Sequence, residues 1–143
     1  MLSKINSFQG EYRFLSNFWL VPIVFEGITF PSVEHAYQAA KTLEIGWRHR
    51  IASLQSPGKA KRVGRLSELR EDWEDVKLDI MEQLVLSKFS LNNGLRFKLL
   101  ETGGAELIEG NNWGDTYWGE HKGVGKNHLG KILMKVRYEL RNG

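Results

Sequence analysis

Between Val21 and Lys41 the hydrophobic pattern changes its period, and this change constrains the fold more than any other feature. Val21-Pro22-Ile23-Val24-Phe25 and Ile28-Thr29-Phe30 are β-branched and aromatic runs separated by Glu26-Gly27, a two-residue spacing that predicts a hairpin. Residues Glu11 to Phe30 as a whole read as extended. Pro31-Ser32 then ends the extended chain, and Val33, Ala36, Tyr37, Ala40 and Leu43 recur at helical spacing behind Ser32, the expected N-cap. An apolar stripe needs something to pack against, and the following sequence offers more helices. One is expected from about Pro57, a first-turn proline, to Leu66. Another is expected over about Glu71 to Ser90, with Trp73, Val76, Ile80, Leu84 and Phe89 on one face. A short one from Leu95 to Glu101 is stopped by Gly103-Gly104. Ala105 to Glu109 reads as a strand, and a last helix starts at Asn127 as cap and buries Leu129, Ile132, Leu133, Val136 and Leu140. With no repeat or linker, the pattern predicts an α+β fold: a single compact, mostly helical domain over residues 1–143 with a short N-terminal β element.

A chain of 143 residues is long enough to bury a core without metals or disulfides. No cysteine is present, which excludes thiol nucleophiles, disulfide frameworks and thiolate-bound zinc and makes the cytoplasm the expected compartment. The opening Met-Leu-Ser-Lys-Ile-Asn lacks a signal-type apolar core, and no run approaches the ~18 apolar residues of a membrane helix. Twenty basic against 17 acidic residues give +3, a mild bias toward anionic substrates. The bases cluster at Lys59, Lys61, Arg62 and Arg65, and again from Lys122 to Arg141. Either zone offers contacts to phosphate or a solvated helix face.

Three constellations could carry chemistry. Glu34, Gln38 and Lys41 fall at i, i+4 and i+7 of the first helix and share a face. Seven residues rise about 10.5 Å, so the end groups would converge on a sugar-sized group between them; an ordinary solvated stripe has the same spacing. The segment Asn111 to Gly119 crowds Trp113, Asp115, Tyr117 and Trp118 into one loop. Loop aromatics suit stacking on a nucleobase, and Asp115 suits ribose hydroxyls or proton transfer. Equally, the two Trp could fold back as satellite core, with Asp115 making an Asx turn. Gly119, Gly123, Gly125 and Gly130 surround Lys126 and Asn127, a glycine-rich approach that would lead phosphate to free N–H groups of the last helix. His35, His49, His121 and His128 lack metal-ligand spacing and read as surface or capping residues. Neither a metal nor a cofactor is expected.

Taken in order, these segments resemble the NADAR family. The resemblance is carried by Phe14-Leu15-Ser16-Asn17-Phe18, Pro31 through Lys41, Ser56-Pro57 with Ala60 and Gly64-Arg65, and Trp73. It continues through Lys88-Phe89, Leu99 to Thr102, Leu107-Ile108-Glu109, Asp115-x-x-Trp118-Gly119, and Gly125-Lys126-Asn127-x-Leu129-Gly130-x-x-Leu133-Met134. Gly114 departs from it, since family members commonly carry Asn before that Asp. The resemblance implies hydrolysis of an N-glycosidic bond in phosphoribosylamino-pyrimidine intermediates of riboflavin biosynthesis. ADP-ribose removal from guanine in DNA is the alternative, and noncatalytic ADP-ribose binding a third reading. The implied partner is thus a small ribosyl phosphate or ADP-ribosylated DNA. On this basis Glu34, Lys41 and Asp115 are the expected catalytic residues. Asn17, Gln38, Arg65, Trp73, Trp118, Gly119, Lys126 and Asn127 are expected to bind substrate.

Overall fold

The computed structural model describes residues 3–143. In chain order its elements are β1 (Lys4–Ile5), a 3₁₀ helix (Gly10–Leu15), β2 (Leu20–Phe25), β3 (Ile28–Ser32), α1 (Val33–Ala40), α2 (Ile45–Ala52) and α3 (Pro57–Gly64). These are followed by α4 (Trp73–Ser90), α5 (Asn93–Glu101), β4 (Glu106–Leu107), β5 (Gly110–Asn111), β6 (Glu120–His121) and α6 (His128–Asn142). The fold is α+β and mostly helical. Two units are distinguished, residues 17–88 and residues 3–16 with 89–143.

In the 17–88 unit, β2 and β3 pair antiparallel with Phe25 opposite Ile28. The turn between them has φ 47° at Glu26 and 83° at Gly27, left-handed at both central residues, as a tight two-residue hairpin turn requires. A side chain in that region costs about 1–2 kcal/mol, and Glu26 has a use for its own: its carboxylate accepts from Arg48 Nη1 at 2.5 Å. Arg48 is itself buried, and its Nε donates to the Thr42 carbonyl at 2.9 Å. The hairpin turns Ile23, Phe25 and Phe30 inward and leaves Leu20 and Val24 exposed, the alternation expected of a half-buried pair. Each of these buried side chains is worth about 1.5–3 kcal/mol in removed apolar surface.

Ser32 ends β3 and caps α1, its hydroxyl accepting from the His35 amide at 3.1 Å. All eight residues of α1 are buried, packed against β3, α2 and α3. Leu43, expected on the α1 stripe, lies beyond the helix end at Ala40 and is exposed. The α2 helix was not expected, because only Arg48 and Ile51 of its eight residues are buried and no apolar period marks it. The α3 helix opens as its sequence predicts, with Ser56 accepting from the Lys59 amide and Pro57 in the first turn. In α4, Trp73, Ile80, Met81, Leu84 and Val85 are buried.

The other unit corrects two extended readings. Residues 10–15 form a 3₁₀ helix that buries Phe14 and Leu15, with Phe14 edge-on to Phe89 at 6.5 Å. The strand expected over 105–109 shrinks to Glu106–Leu107, whose parallel partner is β1. Along α6, Leu129, Ile132, Leu133 and Val136 are buried, as the periodicity predicts. Leu140 is half-buried.

Candidate active site

The α1 helix places Glu34, Gln38 and Lys41 along one side, and neighbouring elements of the 17–88 unit furnish their surroundings. The Glu34 amide donates to the Asn17 carbonyl at 3.0 Å, so Asn17 satisfies one of the orphan donors in the first turn. Its side-chain amide donates to Met81 Sδ at 3.5 Å. Glu34 is buried, and Gln38 Nε2 donates to its Oε2 at 2.6 Å, short enough for a charge-assisted bond. The other end of the Gln38 amide is unspent: Oε1 is buried with no hydrogen-bond partner. Such an acceptor in a native site needs a reason, and a substrate donor would supply one. Gly64 at the end of α3 makes the arrangement possible, because a β-carbon there would overlap the Gln38 side chain.

Lys41 follows α1 directly, its ammonium 5.4 Å from the centre of the Tyr37 ring. Burial lowers its pKa; Glu34 opposes that shift, while Arg65, Lys61 and Lys77 add to it. The effect is an amine more readily neutral than a free lysine, in a field to which Arg65, Lys61 and Lys77 add positive charge, although Lys77 is itself paired with Glu74 at 2.7 Å. Trp73 is buried and tilted against Tyr37, with ring centres 5.2 Å apart; it forms the wall on which Tyr37 rests. Arg65 is exposed at the end of α3. The structure thus gathers Asn17, Glu34, Gln38, Lys41, Arg65 and Trp73 in one unit.

His35, expected as a surface or capping residue, is fully buried. The Leu54 carbonyl lies 3.0 Å from its Nε2 and the Ser32 hydroxyl 2.7 Å from Nδ1. A carbonyl only accepts, so Nε2 carries the proton. Burial lowers the ring's pKa, against the opposing Leu54 bond. His35 ties α1 to the chain beyond α2.

In the 3–16 and 89–143 unit, the remaining expected residues are engaged with backbone. Asp115 Oδ1 accepts from the Tyr117 and Trp118 amides at 3.0 and 2.9 Å, an Asx turn. Trp118 is half-buried, edge-on to Tyr117 at 4.9 Å, and Tyr117 packs on His128 at 4.6 Å. Lys126 extends over the Tyr117 ring. Gly119 is required by crowding, since a β-carbon there would collide with Glu109. Asn127 does not cap α6 through its side chain. Instead its Oδ1 accepts from the Glu109 amide at 3.0 Å and its Nδ2 donates to the Leu107 carbonyl at 2.9 Å. The amides of Asn127, His128 and Leu129 donate to the carbonyls of Gly119, Tyr117 and Trp118. The helix start expected to offer free N–H groups to phosphate is therefore closed by its own loop.

Among the described residues, no cluster of three or more His, Cys, Asp or Glu could hold a metal, and no helix is long and apolar enough to cross a membrane.

The family model described as the NADAR domain matches residues 5–141. The chain belongs to the NADAR family. It is 40% identical over 137 residues to the N-glycosidase YbiA of Escherichia coli K12, covering 94% of this chain and 85% of that one. It is 39% identical to an N-glycosidase of Nostoc punctiforme, covering 92% and 87%. The NMR structure of E. coli YbiA superposes with a TM-score of 0.87 at 39% identity, covering 99% of this chain and 88% of that one. Gly114 has φ 84°, a left-handed conformation that glycine adopts without steric cost.

Two members of the site were missed in the NADAR sequence pattern as functional candidates or given only a general cationic role. Lys61 was grouped with the basic cluster, and Lys77 was not singled out, although both act on Lys41. Lys77 sits four residues after Trp73 on α4, so helical spacing from an already chosen residue was the available signal.

Proposed function

We propose that this protein is an N-glycosidase that hydrolyses the ribosyl C–N bond of phosphoribosylamino-pyrimidines, the reactive intermediates of riboflavin biosynthesis. The observation that carries this reading is the α1 cluster: a buried carboxylate held by Gln38, and directly after the same helix a lysine whose pKa is lowered by burial and by neighbouring cations. Support also comes from the names of relatives, which include N-glycosidases and a Vibrio vulnificus riboflavin biosynthesis protein that is 37% identical over 92% of this chain and 36% of its own length. The family model runs through both units, which supports treating residues 1–143 as one domain.

Cleaving the bond builds oxocarbenium character at the anomeric carbon and leaves electrons on nitrogen, so the site needs nearby negative charge and a proton for the leaving amine. In the proposed path the neutral Lys41 amine adds to the anomeric carbon. Glu34 takes the proton released from that nitrogen and passes it to the departing amine. The bond from the anomeric carbon to the ring oxygen then breaks as the C=N bond of a Schiff base forms, the remaining proton on the Lys41 nitrogen going to that oxygen, and water hydrolyses the Schiff base to free ribose phosphate and Lys41. Arg65, Lys61 and Lys77 hold the phosphate, and Gln38 Oε1 receives a substrate donor. Asn17, whose carbonyl receives the Glu34 amide, is assigned to positioning α1.

The test follows base release by mass spectrometry from the phosphoribosylamino-pyrimidine and, separately, from ADP-ribosylated guanine DNA. Release from the small substrate, with a borohydride-trapped sugar on Lys41 and no turnover by Lys41→Arg, is the expected result. Arginine keeps the cation but cannot become a nucleophile. Release from DNA alone, or full activity in Lys41→Arg, overturns the reading. Activity should rise with pH through the lowered Lys41 pKa, below the ordinary value of 10.5.

A further inference from the structure

A cavity of ≈ 630 Å³ is lined entirely by residues of the 3–16 and 89–143 unit, among them Lys4, Asn6, Asn112, Trp113, Glu120 and Lys122. Its size lies within the range of small-molecule sites, and its lining contains none of Glu34, Gln38 or Lys41. Two features of this lining are unexplained by folding.

The first is Trp113, 57% exposed. It stands in a five-residue loop closed by a single side-chain amide: Asn111 Oδ1 accepts from the Asp115 amide at 3.0 Å, and its Nδ2 donates to the Asp115 carbonyl at 2.9 Å. His121 Nδ1 lies 3.1 Å from the Asn111 carbonyl. A loop pinned this way displays the indole instead of folding it into the core, and a presented aromatic face can stack on a planar ring.

The second is Lys122. His121 and Val124 exchange both backbone bonds, 2.8 and 3.1 Å, around Lys122 and Gly123, with φ 53° and 78°. Asn, Asp and Gly dominate the first position of such a turn, and lysine there is strained. Glu26 occupies the equivalent place in the β2–β3 turn and is engaged by Arg48. Lys122 has no hydrogen-bond or ion-pair partner among the described residues, and this exposed residue belongs to the lining of the cavity.

We propose that this cavity is a mononucleotide site, separate from the α1 chemistry: the base stacks on Trp113, Lys122 takes the phosphate, and Asn6 and Asn112 meet the base edge. An indole platform is satisfied by any aromatic ring, and the ammonium adds the demand for an anion. Lys4 is already engaged with Glu106 at 3.9 Å, and Glu120 adds a carboxylate to the lining. The free positive charge therefore matches one phosphate group rather than a polyanionic strand.

The experiment titrates AMP, UMP, ribose 5-phosphate, inorganic phosphate and a short single-stranded oligonucleotide into the full chain, following the Trp113 indole N–H by NMR, with thermal melts of each variant. AMP or UMP should shift that signal saturably, with ribose 5-phosphate and phosphate weaker by about tenfold or more. Trp113→Ala should abolish mononucleotide binding. Lys122→Asn should raise Tm, because the turn prefers Asn, while weakening AMP by about tenfold. The Glu34→Gln variant should bind AMP as the unmodified protein does, so failure of the glycosidase reading leaves this result intact. The proposal is overturned by AMP binding that survives Trp113→Ala, by Lys122→Asn leaving affinity unchanged, by equal affinity for ribose 5-phosphate, or by binding of the oligonucleotide alone.

Discussion

The α1 segment and the Gly110–Asn127 loop are both rich in carboxylate, amide and lysine, yet they spend these groups differently. In α1 the backbone is satisfied by the helix itself, by the Ser32 cap and by the Asn17 carbonyl, so Glu34 and Gln38 bond to each other and the amide oxygen of Gln38 is left over. In the loop, secondary structure is reduced to two-residue strands, and side chains take over the backbone's hydrogen bonding: Asn111 closes on Asp115, Asp115 on Tyr117 and Trp118, and Asn127 on Leu107 and Glu109. A buried backbone group left unpaired is costly, so polar side chains in irregular chain are drawn first into architecture. The same residue types thus mark chemistry on a regular element and scaffolding on an irregular one.

The largest effect that would test this contrast is at Glu34. Glu34→Gln should lower base release by about 10²–10⁴-fold while Tm stays close to that of the unmodified protein, because the new amide oxygen still accepts from Gln38. A large loss of Tm would place Glu34 among the structural residues and erase the distinction. In the loop the order reverses. Asn127→Ala strands the Glu109 amide and the Leu107 carbonyl, and should cost about 2–4 kcal/mol in denaturant unfolding. Asp115→Asn, which keeps the Oδ1 acceptor, should cost far less. If Asp115→Asn nevertheless stops turnover in a folded protein, the carboxylate charge has a chemical role beyond its turn. The smallest effect concerns His35. Its pKa is lowered in the folded state, so its contribution to stability is present above the ordinary value of 6.5 and is lost as pH falls through the folded value. Melts from pH 8 to 5 should show Tm declining at the acid end, and His35→Gln should flatten that decline.

What the sequence made legible divides along the same line. The β2–β3 hairpin, the Ser32 cap, the Pro57 first turn and the buried face of α6 follow from contacts a few residues apart, and local pattern reports them. The α2 helix escapes because its place depends on Arg48 reaching Glu26 and Thr42, not on an apolar stripe. The β1–β4 pair escapes because two residues joined across about a hundred intervening positions leave no periodic trace. In the site, helical spacing puts Glu34, Gln38 and Lys41 on one face, and the NADAR resemblance rather than the spacing singles them out for chemistry. The influence of Lys61 and Lys77 on Lys41 depends on how α3 and α4 pack. Asn127 was misread as an opening for phosphate because carbonyls arriving from residues 117–119 to occupy a helix start have no signature in the residues themselves.

That closure of α6 has a kinetic meaning as well. Since the amides of Asn127, His128 and Leu129 end on the carbonyls of Gly119, Tyr117 and Trp118, the aromatic loop cannot lift without stripping these partners from the start of a helix whose inner face is packed into the core. Loop and helix should open as one cooperative segment. These three amides are therefore built-in reporters: their hydrogen-exchange rates measure how often the aromatic loop lets go, and a ligand that holds the loop would slow all three together.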